Sequence, residues 1–151
     1  MSYSPAELAD RAEIQDVLVR YAWAIDTKDW VLFDTLFTTD AHLDYTANPG
    51  GVKGSLGEVK AWLMKSLLAF PSSQHLLANT EIVLDGDRAA ARTQMTNPMG
   101  ARTRTNALHW FFIGGSYHDE LVRTTDGWKI CKRVERTTWM QGKLPPELVF
   151  E

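Results

Sequence analysis

The sequence predicts an α+β domain in which N-terminal helices pack on a strongly curved, mostly antiparallel sheet and enclose a cone-shaped pocket. Three observations carry that expectation. Helical apolar periodicity, with two helix-start signatures, is confined to residues 1–70. From about residue 75 onward the apolar residues alternate as in strands and are interrupted by turn residues. The third observation is aromatic: six Trp, six Phe and four Tyr stand in 151 residues. One core of this size does not absorb them all, so some are expected along a cavity or a subunit interface.

The first helix has a clear start at Ser4-Pro5-Ala6-Glu7, which has capping-box spacing with Pro at the first helical position. Leu8, Ile14, Val17, Leu18, Tyr21, Ala22 and Ile25 then form a helical stripe, and the helix ends near Asp26-Thr27-Lys28. A short second helix is expected from Asp29 through Trp30, Phe33, Leu36 and Phe37, followed by a strand at His42-Leu43-Asp44-Tyr45-Thr46. Asn48-Pro49-Gly50-Gly51 is a loop by composition. Ser55-Leu56-Gly57-Glu58 is a second capping box. It opens a helix with Val59, Trp62, Leu63, Ser66, Leu67 and Phe70 on one face, stopped by Pro71.

Strands are expected near 75–84, 88–97, 105–117, 117–125 and 128–139. Asp85-Gly86-Asp87 and Thr125-Asp126-Gly127 read as hairpin turns, and Gly114-Gly115 as a bulge or sharp bend. The tail from Pro145-Pro146 reads as an irregular wrap. No repeat, low-complexity tract or linker divides the chain, so residues 1–151 read as one domain.

The bulk numbers exclude several function classes. Net charge is −3, from 19 acidic against 16 basic residues, with no basic run to engage nucleic acid or an anionic membrane. Cys131 is the single cysteine, so no internal disulfide forms. No apolar run approaches the roughly 20 residues that span a bilayer. The first residues lack the basic start and apolar block of a secretion signal, so the expected location is cytoplasmic.

Among chemistry-bearing residues, Asp26 is the most informative. It stands at a helix C-terminus, where the macrodipole disfavours a negative charge by roughly 0.3–1 kcal/mol, and at the edge of the apolar stripe. It is either a solvated turn-forming acid or a carboxylate turned into the cavity. His75 opens a strand; alone, a backbone-bonded strand histidine is the ordinary reading. His42, His109 and His118 are not separated from it by spacing. No HExxH, Cys/His cluster, phosphate loop or nucleophile elbow is present, so neither a metal nor a cofactor is expected.

Several stretches together carry a family resemblance. Ala12-Glu13-Ile14-Gln15-Asp16-Val17-Leu18, Tyr21 and Ala24-Ile25-Asp26-Thr27-Lys28-Asp29-Trp30 are similar to the opening of SnoaL-like proteins of the nuclear-transport-factor-2-like fold. So are Leu36-Phe37-Thr38-Thr39-Asp40-Ala41 with Leu43-Asp44-Tyr45, Gly114 to Leu121, and Asp126-Gly127-Trp128-Lys129-Ile130. The resemblance spans nearly the whole chain and is specific for the fold. The fold itself serves cyclases, dehydratases, isomerases, epoxide hydrolases and non-catalytic subunits.

Two lyases of this group bear closer comparison, hexachlorocyclohexane dehydrochlorinase and scytalone dehydratase. The chain resembles both in an aspartate after the first helix and a histidine opening a strand, here Asp26 and His75. The first resemblance also implies Arg133 as a pocket cation, and the second Tyr45 as a tyrosine polarising the substrate through water. Neither constellation is complete. The dehydrochlorinase has a lysine where Tyr21 aligns. The dehydratase has a tyrosine where Ile25 aligns and a second histidine where Met99 or Gly100 aligns. By alignment and alternation, Tyr21, Leu43, Met95, Asn97, Phe111, Ile113 and Tyr117 are expected in the pocket wall with Tyr45 and Arg133.

The resemblance thus implies a cofactor-free lyase or isomerase for a hydrophobic cyclic small molecule, with His75 as base and Asp26 fixing its tautomer. The alternative is a non-catalytic small-ligand binder or a protein like the β subunit of an aromatic-ring dioxygenase. Epoxide hydrolysis would need an Asp-Arg-Asp pattern that is not evident. A homo-oligomer is expected through the outer sheet face, where Trp110 and Phe112 alternate with Phe111 and Ile113, a trimer ahead of a dimer.

Overall fold

The computed structural model describes residues 2–103 and 106–143. Helix α1 (Pro5–Thr27) starts where its capping box requires. The Ser4 hydroxyl accepts the Glu7 N–H, and the Glu7 carboxylate accepts the Ser4 N–H at 2.7 Å. Ile14, Leu18, Tyr21 and Ile25 follow on one face and are buried, each worth about 1.5–3 kcal/mol against exposure. The N-terminal half of α1 is pinned to the last hairpin of the sheet. Asp10 takes both terminal nitrogens of Arg123 at 2.7 Å, and Glu13 accepts the Trp128 N–H at 3.0 Å. Lys28 caps the C-terminus in the left-handed region (φ 58°).

Helix α2 (Trp30–Thr35) is capped by Asp29, and strand β1 (Phe37–Asp44) follows at once. The helix is shorter and the strand begins five residues earlier than the sequence pattern indicates. The cause is pairing: Phe37 is in register with Ile130, and the Ile130 N–H donates to the Leu36 carbonyl at 2.9 Å. After β2 (Lys53–Ser55) comes α3 (Leu56–Ser66), whose capping box is formed by Ser55 and Glu58; a 3₁₀ turn at Leu67–Ala69 ends before Pro71.

Strands β3 (Ser72–Ser73), β4 (Leu76–Asp85), β5 (Arg88–Arg102), β6 (Leu108–Thr124) and β7 (Gly127–Gln141) complete a sheet of order β2-β1-β7-β6-β5-β3, with β4 also on β5. All pairings are antiparallel except β1 with β7. The architecture is α+β, as expected. Two expected strands, 105–117 and 117–125, are one: Tyr117 pairs with Thr93 on one side and Glu135 on the other, so no break falls there. β5 likewise runs on through Pro98 to Arg102. The expected wrap at Pro145-Pro146 lies outside the described residues.

Curvature comes from bulges, where an extra residue bends one strand against its neighbour. Against β6, the β7 residues Cys131 and Thr138 are each passed over in the register. At the second, Gly114 lets the Trp139 indole lie flat on the backbone: a Cβ there would meet the ring at 2.0 Å. α1 packs on β4 and β7 and α3 on β1, leaving a cavity between helices and sheet. None of the described helices is long and apolar enough to cross a membrane.

Candidate active site

Asp26 and His75, 49 residues apart, meet where α1 ends against the sheet. The His75 backbone is held from both sides by β5, through Ser73 paired with Met99, the Gln74 N–H on the Pro98 carbonyl at 3.1 Å, and Leu76 paired with Thr96. The Asp26 carboxylate accepts three hydrogen bonds. Oδ2 takes the His75 backbone N–H at 2.7 Å; Oδ1 takes the Ser73 hydroxyl at 2.9 Å and stands 2.6 Å from His75 Nδ1. Burial pushes this carboxyl up, but the hydrogen bonds and charge of His75, with the Ser73 hydroxyl, outweigh it and hold it below its ordinary value. These donors also offset the unfavourable helix-end dipole.

His75 lines a cavity of about 90 Å³, while Asp26 stays behind the ring and outside it. With Nδ1 taken by Asp26, Nε2 is the ring nitrogen left to meet a ligand. The walls are largely aromatic and aliphatic, with Phe70 and Phe111 in contact (centroids 5.3 Å apart) and Trp62 against Tyr45. Two wall residues, Ser66 and Asn97, each carry a buried oxygen without a hydrogen-bond partner. Buried polar atoms are rarely left so, and a ligand is one way to satisfy them.

Also on the wall, the Tyr21 and Tyr45 hydroxyls are 2.6 Å apart. Burial raises both phenols, so both keep their protons. One proton is used between the two oxygens; the other remains to be donated elsewhere. Behind them, Arg133 is fully buried, with its guanidinium 3.9 Å from the centre of the Tyr21 ring and 4.3 Å from that of Tyr117. Nε and one terminal nitrogen bind Asp119 at 2.7 Å each.

With this geometry in view, the relatives are informative. A SnoaL-like domain matches residues 6–134. The chain belongs to the SnoaL-like family. An uncharacterized family relative from Mycobacterium tuberculosis (strain H37Rv), Rv2910c, is 44% identical over 133 residues, which is 87% of this chain and 88% of that one. Among solved structures, a Novosphingobium aromaticivorans protein assigned as a scytalone dehydratase superposes with a TM-score of 0.80 at 20% identity, covering 92% of this chain and 91% of that one. A hexachlorocyclohexane dehydrochlorinase, LinA type 2, superposes with a TM-score of 0.76 at 18% identity over 93% of this chain and 96% of that one. At those identities the two structures establish a common fold.

Within this SnoaL-like cavity the structure places His75, Tyr21, Tyr45, Asn97, Phe111, Ile113 and Tyr117 on the wall. Three other expected wall residues are not there. Leu43 and Met95 point to the same side as their wall neighbours Tyr45 and Asn97 but are consumed by the core. Arg133 is screened by Tyr21 and Tyr117 and neutralised by Asp119, so it is not a pocket cation. Sequence reasoning missed Ser66, Asn48 and Glu135, which do line the cavity. Ser66 sits on the apolar stripe of α3, and Glu135 follows Arg133 by one strand repeat on β7; each position was a signal. Among the described residues no three His, Cys, Asp or Glu side chains cluster as a metal site.

Proposed function

We propose that this chain is a lyase or isomerase, independent of a cofactor, which removes a proton from a hydrophobic cyclic or aromatic small molecule. One observation carries the reading. His75 has Nδ1 fixed at 2.6 Å by Asp26 and lines an apolar cavity. In that arrangement the carboxylate holds the proton on Nδ1, leaves Nε2 free to accept one, and stabilises the imidazolium that results. Proton transfer of this kind is worth about 10²–10⁴-fold.

The carbanion formed needs its charge received on an adjacent oxygen. The spare hydroxyl proton of the Tyr21–Tyr45 pair supplies a donor, with Arg133 polarising Tyr21 from behind. Loss of a β-substituent then gives elimination, and reprotonation at another carbon gives isomerisation. The dehydratase and dehydrochlorinase names of the two structural neighbours are in keeping with elimination.

The test is a panel of cyclic β-hydroxy and β-halo ketones, followed by enone absorbance and by deuterium uptake at the α-carbon. Wild type is expected to catalyse one of these processes, and His75→Ala to lose at least ~10² of it. Wild-type protein that binds the panel but catalyses neither process, or a His75→Ala variant of undiminished rate, would overturn the proposal.

A further inference from the structure

Among the described residues that line the cavity, Glu135 carries the only carboxyl group, and the pair described above leaves it without a task. It is 6% exposed, opposite Tyr117 in the β6–β7 register, and shares the cavity wall with Asn48. β7 lies two strands from β5, to whose far edge the His75 segment is attached. The two side chains therefore reach the cavity from opposite flanks.

We infer that Glu135 is a second catalytic residue, the acid that protonates a departing oxygen, so that the group expelled at this site is a hydroxyl. The inference rests on the reading of His75 as base. Burial pushes the Glu135 carboxyl above its ordinary value; Asn48 and the charges of His75 and Arg133 draw it back only in part. Its place on the apolar wall, 6% exposed, sets the carboxyl where it can hand a proton to a group leaving from a bound ligand.

The step balances without a co-reactant. Nε2 of His75 takes the C–H proton, and the C–H electron pair becomes the new double bond. The neighbouring C–O bond breaks with its electron pair on oxygen. The Glu135 O–H proton joins that oxygen, and water leaves. The protein is left with imidazolium and carboxylate, and transfer of one proton from His75 to Glu135 restores both.

A halide leaves without a proton and is helped by a cation instead. Arg133 is the nearby cation, and it is fully buried, bonded through two nitrogens to Asp119 and faced by two tyrosine rings. The cavity thus offers an acid and withholds a charge, which favours an alcohol over a halide. Ser66 and Asn97, with their unpartnered buried oxygens, add acceptors suited to the hydroxyls of such a substrate.

The experiment compares β-hydroxycyclohexanone with β-chlorocyclohexanone, both of which yield cyclohexenone, in wild type and Glu135→Gln. Glutamine keeps the shape but has no proton to give. The alcohol-to-chloride rate ratio is expected to fall by ~10² or more in the variant. Infrared difference spectra of the two proteins at neutral pH are expected to show a protonated-carboxyl stretch that Glu135→Gln removes. An unchanged ratio, or a carboxylate band in place of the acid band, overturns the assignment, since a purely structural Glu135 would shift both rates together. If wild type acts on neither ketone and exchanges no α-proton, the His75 reading fails first and this inference falls with it. That result is distinct from one in which both ketones react and the ratio holds.

Discussion

Asp26→Asn is the substitution for which the structure gives the most determinate outcome. The His75 backbone N–H is a fixed donor, 2.7 Å from Oδ2, and it demands an oxygen. The new amide oxygen must therefore occupy the Oδ2 place, and its NH₂ falls where Oδ1 stood, 2.6 Å from His75 Nδ1. An NH₂ donates to Nδ1 and forces the ring proton onto Nε2, the nitrogen that the proposed mechanism needs free. The opposite amide orientation would leave a backbone N–H facing an NH₂, at about 1–3 kcal/mol. The proposed base is thus held in the wrong tautomer and its imidazolium is unsupported. We expect turnover to fall by at least ~10² and toward the ~10⁴ of the matching serine-protease change. The Ser73 hydroxyl can turn to suit the amide, so the stability cost is that of exchanging charge-assisted for neutral hydrogen bonds, about 1–2 kcal/mol. Acid sensitivity gives a second readout. The folded Asp26 carboxyl lies below its unfolded value near 4. Its stabilisation is present above that value and is lost as pH falls through the folded one, so the wild type should lose this increment below about pH 4 and the variant should not. Thermal melts against pH and the rate on any panel substrate measure both. Wild-type turnover by Asp26→Asn would refute the dyad argument, and an unaltered acid limb would refute the charge assignment.

Two further outcomes are expected. Asp119→Asn leaves the Arg133 guanidinium, fully buried with its partner, as an uncompensated charge. It should cost about 3–5 kcal/mol, a drop of roughly 6–20 °C in Tm for a domain of this size; calorimetry showing a loss under 1 kcal/mol would mean that the tyrosine rings and water suffice. Trp110 and Phe112 are exposed on the outer sheet face and, with Trp23 and Leu76, flank a groove that reaches the back of Asp26. A second copy of this chain is the occupant expected there, a trimer ahead of a dimer, with Trp110→Glu shifting light scattering toward the monomer; a monomeric wild type at micromolar concentration would rule this out.

The features legible in the sequence are those written by local signals. Both capping boxes formed because serine and glutamate three residues apart satisfy each other's backbone without help from the rest of the chain. What depends on pairing was not legible. β3 is two serines that become a strand only because Met99 and Gly100 present an edge to them. β1 starts at Phe37 because a parallel partner, Ile130, lies 93 positions further along the chain. At the site, Asp26 and His75 were found through the SnoaL-like resemblance, since nothing in their own spacing joins them. Arg133 was taken for a pocket cation because the register that sets Asp119 opposite it belongs to the folded sheet. Glu135 follows from Arg133 by alternation, but nothing in the strand pattern N-terminal to Arg133 points to it. The bulge at Cys131 shifts the phase of β7, so the inward series set by Trp128 and Ile130 resumes at Arg133 and Glu135 instead of continuing through even positions.

The disposition of charge around the cavity points to one kind of work. The strongest charges, Arg133 and Asp119, are paired behind the wall, and the Tyr21 and Tyr117 rings stand between the guanidinium and any ligand. Two unit charges 4 Å apart interact by about 4 kcal/mol near a protein surface and more strongly inside. A bare arginine on this small apolar wall would therefore hold an anion firmly in the ground state as well as in the transition state, which raises affinity more than rate. Routed through Tyr21, the same charge strengthens a hydroxyl hydrogen bond to Tyr45 at 2.6 Å. It then acts on a ligand oxygen mainly as negative charge develops there. Among the described residues, the polar groups that line the cavity include an imidazole, a buried carboxyl, three phenols, two amides and a serine hydroxyl. All can share or pass a proton, and none presents a fixed full positive charge. Such a wall suits proton transfer in a neutral, hydrophobic substrate, and it disfavours capture of an anionic one.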